Sequence, residues 1–304
     1  MVCLITGAAG MMGTHLYESL LQYGEKVIAT YYNPTIDSRD PILSHLKNNH
    51  IELDLTDYDR VKCVINKFKP SVIYHLAAQS RPDISFNDPY LTLDVNIGGT
   101  TNLLKACASI DGYKPLIINA SSSAVYGDIN WLSPPTENCA TNPLSPYGTS
   151  KLAQEHLVRN FYQMGYIDYV NVRIFNCTGP RKINDFVSDM CRRVVNQEFP
   201  IKVGNLTGRR SIIDVRDMVS GLIKCSNIKN DTLNLGSSIV YDIDEVFKMI
   251  VGDCDYIQDR ILFRVTDEPI IYGNINKAVS RLDWSQKIDL EKTINDTLDY
   301  WNRL

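Results

Sequence analysis

The chain has 304 residues, 31 Lys plus Arg against 35 Asp plus Glu for a net charge of −4, 44% hydrophobic residues and 22% charged ones. This is an ordinary globular mixture that excludes wholesale disorder, and its mild negative charge gives no electrostatic footprint for a polyanion such as nucleic acid. Single cores stop growing at about 250–300 residues, so one large domain with a smaller one attached is expected.

In the first half, short apolar runs alternate with amphipathic stretches. Val2–Thr6 reads as a strand, Met11–Tyr23 as a helix, and Lys26–Thr30 and Ile51–Leu55 as strands. Asp57–Phe68 reads as a helix, Ser71–Leu76 as a strand, Tyr90–Ser109 as one long helix and Pro115–Ala120 as a strand. A loop rich in Pro, Asn and Thr over 128–145 precedes a helix from about Pro146 to Met164 and a strand over Tyr169–Phe175. Near-continuous apolar strands alternating with helices predict an α/β fold, a Rossmann-type doubly wound parallel sheet covered on both faces. From residue 176 the alternation weakens. Helices are expected over Ile183–Asn196, Asp214–Ser226, Lys277–Leu282 and Leu290–Asn302, with extended pieces at Ile201–Val203, Arg210–Ile213 and Ile261–Val265. Residues 1–175 thus form the expected dinucleotide-binding domain, to which the strand 232–235 returns. Residues 176–304 form mainly a smaller, mixed substrate-binding lobe.

The eight cysteines, at 3, 63, 107, 139, 177, 191, 225 and 254, form no C-x-x-C pair, and several sit in apolar runs. They read as reduced core residues of a cytoplasmic protein, with no metal site. Met1 leads at once into the first strand, so no signal peptide is expected, and no run approaches the roughly 18 apolar residues of a membrane span.

The first strand runs into Thr6-Gly7-Ala8-Ala9-Gly10-Met11-Met12-Gly13 and then a helix. Glycines at 7, 10 and 13 suit a tight turn, the approach of backbone to a pyrophosphate and close helix–strand packing, with the helix N-terminus facing the phosphates. A glycine triplet at the first strand-to-helix junction of a βαβ chain is the context a dinucleotide site requires. An NAD site usually carries an acid after the second strand to hold the ribose hydroxyls. Here the chain reads Ala29-Thr30-Tyr31-Tyr32-Asn33, with Arg39 the nearest arginine. The missing carboxylate favours NADP(H), with NAD(H) possible. Asp54 and Leu55 are candidate adenine contacts, and Leu76, Ala77 and Ala78 would let the cofactor lie close. His75 reads as a hydrogen-bonded core residue.

Tyr147 and Lys151 stand four residues apart, on one face of a helix that Ser145-Pro146 begins. A tyrosine near pKa 10 is a poor base at neutral pH; a nearby ammonium favours its phenolate and matches it to a sugar hydroxyl. Upstream, Ser121-Ser122-Ser123-Ala124-Val125-Tyr126-Gly127 follows a core strand, where a hydroxyl could align the reacting oxygen with Tyr147.

With these motifs in this order, the chain resembles the extended short-chain dehydrogenase/reductases of the epimerase/dehydratase type, which act on nucleotide sugars. The resemblance also runs through His75-Leu-Ala-Ala-Gln-Ser80, Asn96-Ile-Gly-Gly-Thr100, Arg173-Ile-Phe-Asn-Cys-Thr-Gly-Pro-Arg181 and Val203-Gly-Asn-Leu…Arg210…Asp214-Val-Arg-Asp217. It is nearest to the branch of GDP-mannose 4,6-dehydratases and GDP-4-keto-6-deoxy-mannose reductases. The segment Phe263–Pro269 is similar to an R-P-x-E-x-P element of such reductases, with Val265 in place of the proline.

The resemblance implies Ser122, Tyr147 and Lys151 as catalytic residues, Tyr147 and Lys151 also touching the cofactor with Gly7, Gly10, Met11, Met12 and Gly13. It implies Ser80, Ser123, Asn176, Arg210 and Arg264 on the substrate side, the arginines clamping a diphosphate through bidentate, always-charged contacts. Dehydratases carry an acid two residues after the catalytic hydroxyl, to move the C5 proton and expel the C6 hydroxyl, and this chain has Ala124 there. What remains is hydride transfer at C4 with Tyr147 as proton partner, as in a 4-keto reductase. A 4,6-dehydratase and a C4 epimerase are the alternatives, and a catalytically silent dinucleotide-binding protein is the remote one. Helices 90–109 and 146–164 resemble the pair that forms a homodimer bundle in the family; neither nucleic acid nor membrane is an expected partner.

Overall fold

The computed structural model describes residues 1–32, 45–46, 50–127, 133–263 and 270–304. Strand β1 (Val2–Thr6) leads into helix α1 (Met11–Gln22), followed by β2 (Lys26–Tyr31), β3 (His50–Glu52), α2 (Tyr58–Phe68) and β4 (Val72–His75). Short helices α3 (Pro82–Asn87) and α4 (Pro89–Leu93) precede α5 (Gly99–Ala108), β5 (Leu116–Ser122), α6 (Pro146–Gln163) and β6 (Asp168–Ile174). Beyond them come β7 (Cys177–Thr178), α7 (Phe186–Val195), β8 (Ile201–Val203), β9 (Arg209–Ser211), β10 (Ile213–Asp214), α8 (Val215–Lys224) and β11 (Asp231–Leu235). The remaining elements are β12 (Val240–Asp242), α9 (Ile243–Val251), β13 (Tyr256–Gln258), β14 (Ile270–Ile271), α10 (Asn276–Leu282) and α11 (Leu290–Asn302).

Seven strands form one parallel sheet in the order β11-β6-β5-β4-β1-β2-β3, the expected Rossmann-type arrangement. The central strands bury both faces, which is why Cys3–Ile5 and Ile117–Ile118 read as unbroken apolar runs. On one face, α1, α8 and α10 pack Leu16, Tyr17, Met218, Leu222 and Ala278 against it. On the other, α2, α5 and α6 contribute Val61, Ile65, Leu103, Cys107 and Val158. A separate core lies among α7, α9 and α11, around Met190, Phe247 and Ile294. No helix among the described residues is long and apolar enough to cross a membrane.

The structure corrects several expected elements. The long helix over 90–109 is broken: a π-helical turn over Asp94–Gly98 separates α4 from α5. The cause is Asn96, whose amide bonds both backbone groups of Gln79, at 2.7 and 3.0 Å, and the Ser150 hydroxyl at 2.8 Å. The strand expected over 51–55 ends at Glu52, because the Asp54 carboxylate accepts from the N–H and hydroxyl of Thr56 at 2.9 and 2.8 Å and turns the chain. The helix expected from Ile183 starts at Phe186, where Asp185 caps it by accepting from the Ser188 N–H. The extended piece expected over 261–265 is a 3-10 turn over Arg260–Leu262 as far as the described residues go; the strand lies earlier, where β13 pairs with β8.

His75 ends β4 fully buried and hydrogen-bonded on both ring nitrogens, to Thr6 and Thr100 at 2.8 Å each. Gln154 on α6 donates to Thr100 at 2.5 Å, so the network joins the first strand to the helix carrying Tyr147. Burial, reinforced by Lys151, lowers the His75 pKa to about 3, and burial lowers that of His15 to about 4. Both are neutral in the fold at pH 7, whereas the unfolded chain takes up protons below about pH 6.5. Stability present above that pH is therefore lost as pH falls toward about 4, by up to about 1.4 kcal/mol per pH unit per histidine. Thermal melts between pH 6.5 and 5 should show a falling midpoint, with a shallower fall for His75→Gln; equal slopes would assign the loss to other groups.

Candidate active site

Gly7 takes a left-handed backbone, φ 71°, and a Cβ there would lie 2.8 Å from the Ala77 backbone. A Cβ at Gly13 would meet the Gly7 carbonyl at 2.4 Å. Only glycines let β1, the turn and α1 close on the end of β4, where Leu76, Ala77 and Ala78 lie half-buried. Gly10 caps α1 without a side-chain hydrogen bond, which leaves the first-turn N–H groups beside Met11 and Met12 without a side-chain acceptor. That cradle fits a dinucleotide pyrophosphate. Asp54 is committed to its own turn, and Leu55 is buried. Tyr31 closes β2 edge-on against His50, ring centroids 5.5 Å apart. Asn33 and Arg39 lie outside the described residues.

Ser122 is the last residue of β5, and its hydroxyl accepts from the Ala124 N–H at 3.1 Å. Ser145 caps α6 by accepting from the Gly148 N–H at 3.0 Å, and Pro146 starts the first turn. The structure brings Ser122, Tyr147 and Lys151 together. Burial raises the Tyr147 phenol above its ordinary pKa, and its hydrogen bond with Ser122 pulls the other way. The Lys151 ammonium lies 5.9 Å from the centre of the Tyr147 ring and donates to the Ala120 carbonyl at 2.9 Å. Burial lowers its pKa to about 7. Tyr147 keeps its proton at pH 7 in this setting, beside a lysine that burial leaves only partly protonated there.

Ala124 sits in the 3-10 turn after Ser122, its carbonyl so near α6 that a Cβ at Gly148 would be 2.6 Å away. Two acidic residues that meet Arg173 are already engaged. Glu155 takes a bidentate pair from Arg173, at 2.9 Å for both contacts, and a 2.5 Å hydrogen bond from Ser121. Glu137 accepts from the Asn234 N–H at 2.7 Å. Asp128 lies outside the described residues.

Sequence reasoning passed over the Glu155–Arg173 pair. The signal was available: Glu155 follows Lys151 by four residues, as Lys151 follows Tyr147, so all three share one helix face. It also passed over Asn96 as a side chain that locks α6 to the chain after β4.

On the substrate side, a cleft of about 220 Å³ opens beyond β6, lined by Asn176, Thr178, Lys182, Asp185, Phe186 and Arg210 among others. Asn176 and Arg210, singled out from the sequence, therefore share one wall; Asn176 donates to the Ser211 carbonyl at 3.0 Å and ties β9 to the end of β6. Thr178, Lys182 and Asp185 were not expected there. Burial raises the Asp185 carboxyl and Lys182 opposes the shift. The buried Thr178 hydroxyl lies against the same carboxyl and also opposes its rise. Ser80 is exposed after β4, Ser123 is half-buried beside Ser122, and Arg264 lies outside the described residues.

A family model described as GDP-mannose 4,6 dehydratase matches residues 4–297. The human GDP-mannose 4,6 dehydratase is 29% identical over 337 residues, covering 97% of this chain and 90% of that protein. A Thermus thermophilus UDP-glucose 4-epimerase, solved in complex with NAD, superposes with a TM-score of 0.89 at 24% identity, covering 99% of each chain. RMD from Pseudomonas aeruginosa, solved with NADPH, superposes at 0.84 with 23% identity, again covering 99% of each chain. The two structural likenesses establish the shared fold, and the match over nearly the whole sequence establishes more: the chain belongs to the GDP-mannose 4,6-dehydratase family, among the extended short-chain dehydrogenase/reductases of the epimerase/dehydratase type.

Proposed function

We propose that the protein is an NADP(H)-dependent nucleotide-sugar 4-keto reductase, acting on a GDP-4-keto-6-deoxy-hexose. The observation that carries this reading is Ala124, at the position where a dehydratase needs an acid, with Glu155 and Glu137 engaged elsewhere. Removing a C5 proton and expelling hydroxide from C6 each need a proton carrier, worth about 10²–10⁴-fold per step. Reduction at C4 needs one proton donor, and the chain has it in Tyr147.

Gly7, Gly10, Met11, Met12 and Gly13 would hold the dinucleotide pyrophosphate, and Leu76, Ala77, Ala78, Tyr147 and Lys151 would make further contacts with the cofactor. When bound, the reduced nicotinamide supplies a hydride. Tyr147 gives its phenolic proton to the carbonyl oxygen at C4 as the C=O π bond breaks, so the ketone becomes an alcohol. Ser122 orients that oxygen, and Lys151 stabilises the phenolate left behind. Arg210 and Asn176 would take the substrate diphosphate. The exposed Phe86, Tyr90, Leu91 and Leu93 support a homodimer built on the segments 90–109 and 146–164, since an apolar patch of this kind favours a protein partner.

The second reading is a C4 epimerase, which uses the same Ser122, Tyr147 and Lys151; the similarity of the chain to an epimerase fold favours keeping it in view. Cofactor preference separates the two. With no carboxylate over Ala29–Tyr32, NADPH should bind more tightly than NADH, and Tyr31→Asp should shift the preference toward NADH. Titrating both cofactors checks this; tighter NADH binding by the natural chain would promote the epimerase.

Tyr147→Phe removes only the ionisable oxygen. It should lower turnover with NADPH and a GDP-4-keto-6-deoxy sugar by at least about 10²-fold, with melting temperature and cofactor affinity nearly unchanged. A variant that keeps near-natural turnover sinks the assignment. Incubated with GDP-mannose and catalytic NADP⁺, the natural protein should leave the sugar's mass unchanged. A product lighter by one water, seen by mass spectrometry, would restore the dehydratase.

A further inference from the structure

Part of the wall of the substrate cleft is a loop between β7 and α7, residues 179–185, which contributes Lys182 and Asp185 to the lining. Strand pairing stops at Thr178, so the sheet does not hold this loop. Two of its non-glycine residues take left-handed backbone, Arg181 at φ 70° and Asn184 at φ 64°. L-residues avoid that region, so contacts elsewhere must keep the loop in this shape.

At its far end the loop is held by α7, where Asp185 caps the helix and Ser188 donates to the Lys182 carbonyl; at its near end the contacts come from α1. The Arg181 guanidinium, largely buried, makes a bidentate pair with Glu18 at 2.9 and 3.1 Å. One turn earlier on the same helix, His15 Nε2 meets the Pro180 carbonyl at 3.2 Å, and the neutral ring donates to it. His45 adds a contact to Glu18 at 2.9 Å. Most surface ion pairs contribute little, but bidentate arginine–carboxylate geometry is the exception, and here the arginine side is largely buried while Glu18 is partly exposed. The helix gripping the loop is the one whose N-terminus forms the glycine cradle, and Glu18 lies well along it, clear of Gly7–Gly13.

We infer that Glu18 and Arg181 are positioning residues for the substrate side of the site: their ion pair holds the near end of the 179–185 loop against α1 and so keeps Lys182 in the cleft wall, where its ammonium can meet a nucleoside diphosphate. The inference rests on the reading of the cleft as the nucleoside-diphosphate site. It is not a statement about general stability. The loop relaxes when the pair is broken, the cleft loses its shape, and the cradle at the other end of α1 keeps its own.

The experiment measures binding of GDP, with UDP in parallel, and of NADP⁺ to the intact protein by calorimetry. Glu18→Gln and Arg181→Gln should each weaken nucleoside-diphosphate binding by about tenfold while NADP⁺ affinity stays within about twofold, the scale of one charge-assisted bidentate pair. The exchanged pair Glu18→Arg with Arg181→Glu should recover most of the loss, which a volume or stability defect would not allow. Unchanged nucleoside-diphosphate binding in both single variants overturns the inference, as does a parallel loss of NADP⁺ and GDP. A natural protein that binds NADP⁺ but neither GDP nor UDP overturns the reading of the cleft itself, and the inference with it.

Discussion

Glu155 and Arg173 meet in the interior with their charged groups almost shielded from water. Desolvating two ions is expensive, and their attraction offsets it only when the remaining hydrogen-bonding capacity is also met. Here it is: Glu155 also accepts from Ser121, and Arg173 also donates to the Tyr126 hydroxyl and the Glu137 carbonyl, at 3.0 and 3.1 Å. Removing one partner of such a pair typically costs about 3–5 kcal/mol, because the other charge is left buried alone. The larger consequence is registration. Lys151 grips the Ala120 carbonyl, Glu155 grips the next side chain, and Ser122 is then delivered to Tyr147. An apolar pair could fill the same volume, but it could not distinguish Ser121 from the residue on either side of it.

The polar architecture of the site grows from that registration. Asn96 ties α6, through Ser150, to the chain after β4, and Gln154 ties it, through Thr100 and His75, to β1. The same helix therefore reads its position from β1, β4, β5 and β6 together. Tyr147 sits where burial keeps its proton on, with the Lys151 ammonium 5.9 Å from its ring centre. Depth acts on both groups, raising the pKa of the tyrosine and lowering that of the lysine to about 7.

How much of this was legible in the sequence follows from the range of the interactions. The strands and the glycine turn depend on local pattern and on residues a few positions apart, so Val2–Thr6 through Gly13 read correctly. Ser122, Tyr147 and Lys151, which the structure brings together, each lie in a short motif. The break in the 90–109 helix was hidden, since it depends on Asn96 reaching backbone groups of Gln79, 17 positions away. The early end of β3 was hidden for a smaller reason, the preference of Asp54 for its own turn. Helix α9 has a strongly apolar face in Val246, Phe247 and Ile250, and it escaped notice in a region where the βαβ rhythm had lapsed. The cleft residues Thr178, Lys182 and Asp185 lie within or just after the Arg173–Arg181 stretch, but sequence reasoning assigned them no role, since only the fold of the 177–185 segment gathers them around one cleft.

β11 has a bearing on how the chain reaches this structure. It lies beside β6 as the outermost strand on that side of the sheet, yet β7 to β10 and two helices separate the two in sequence. Asn234 on β11 accepts from the Tyr126 hydroxyl at 2.6 Å and donates to the carbonyls of Pro135 and Asn274, at 2.8 and 3.1 Å. While a ribosome is still making the substrate lobe, β6 has one bare edge, with the backbone groups of Val170 to Ile174 unpaired and apolar neighbours on both faces. Such an edge is a template for a second chain. The nascent protein is therefore most open to misassembly after its nucleotide-binding half has emerged and before residue 235 has, and the interval closes when the late strand docks.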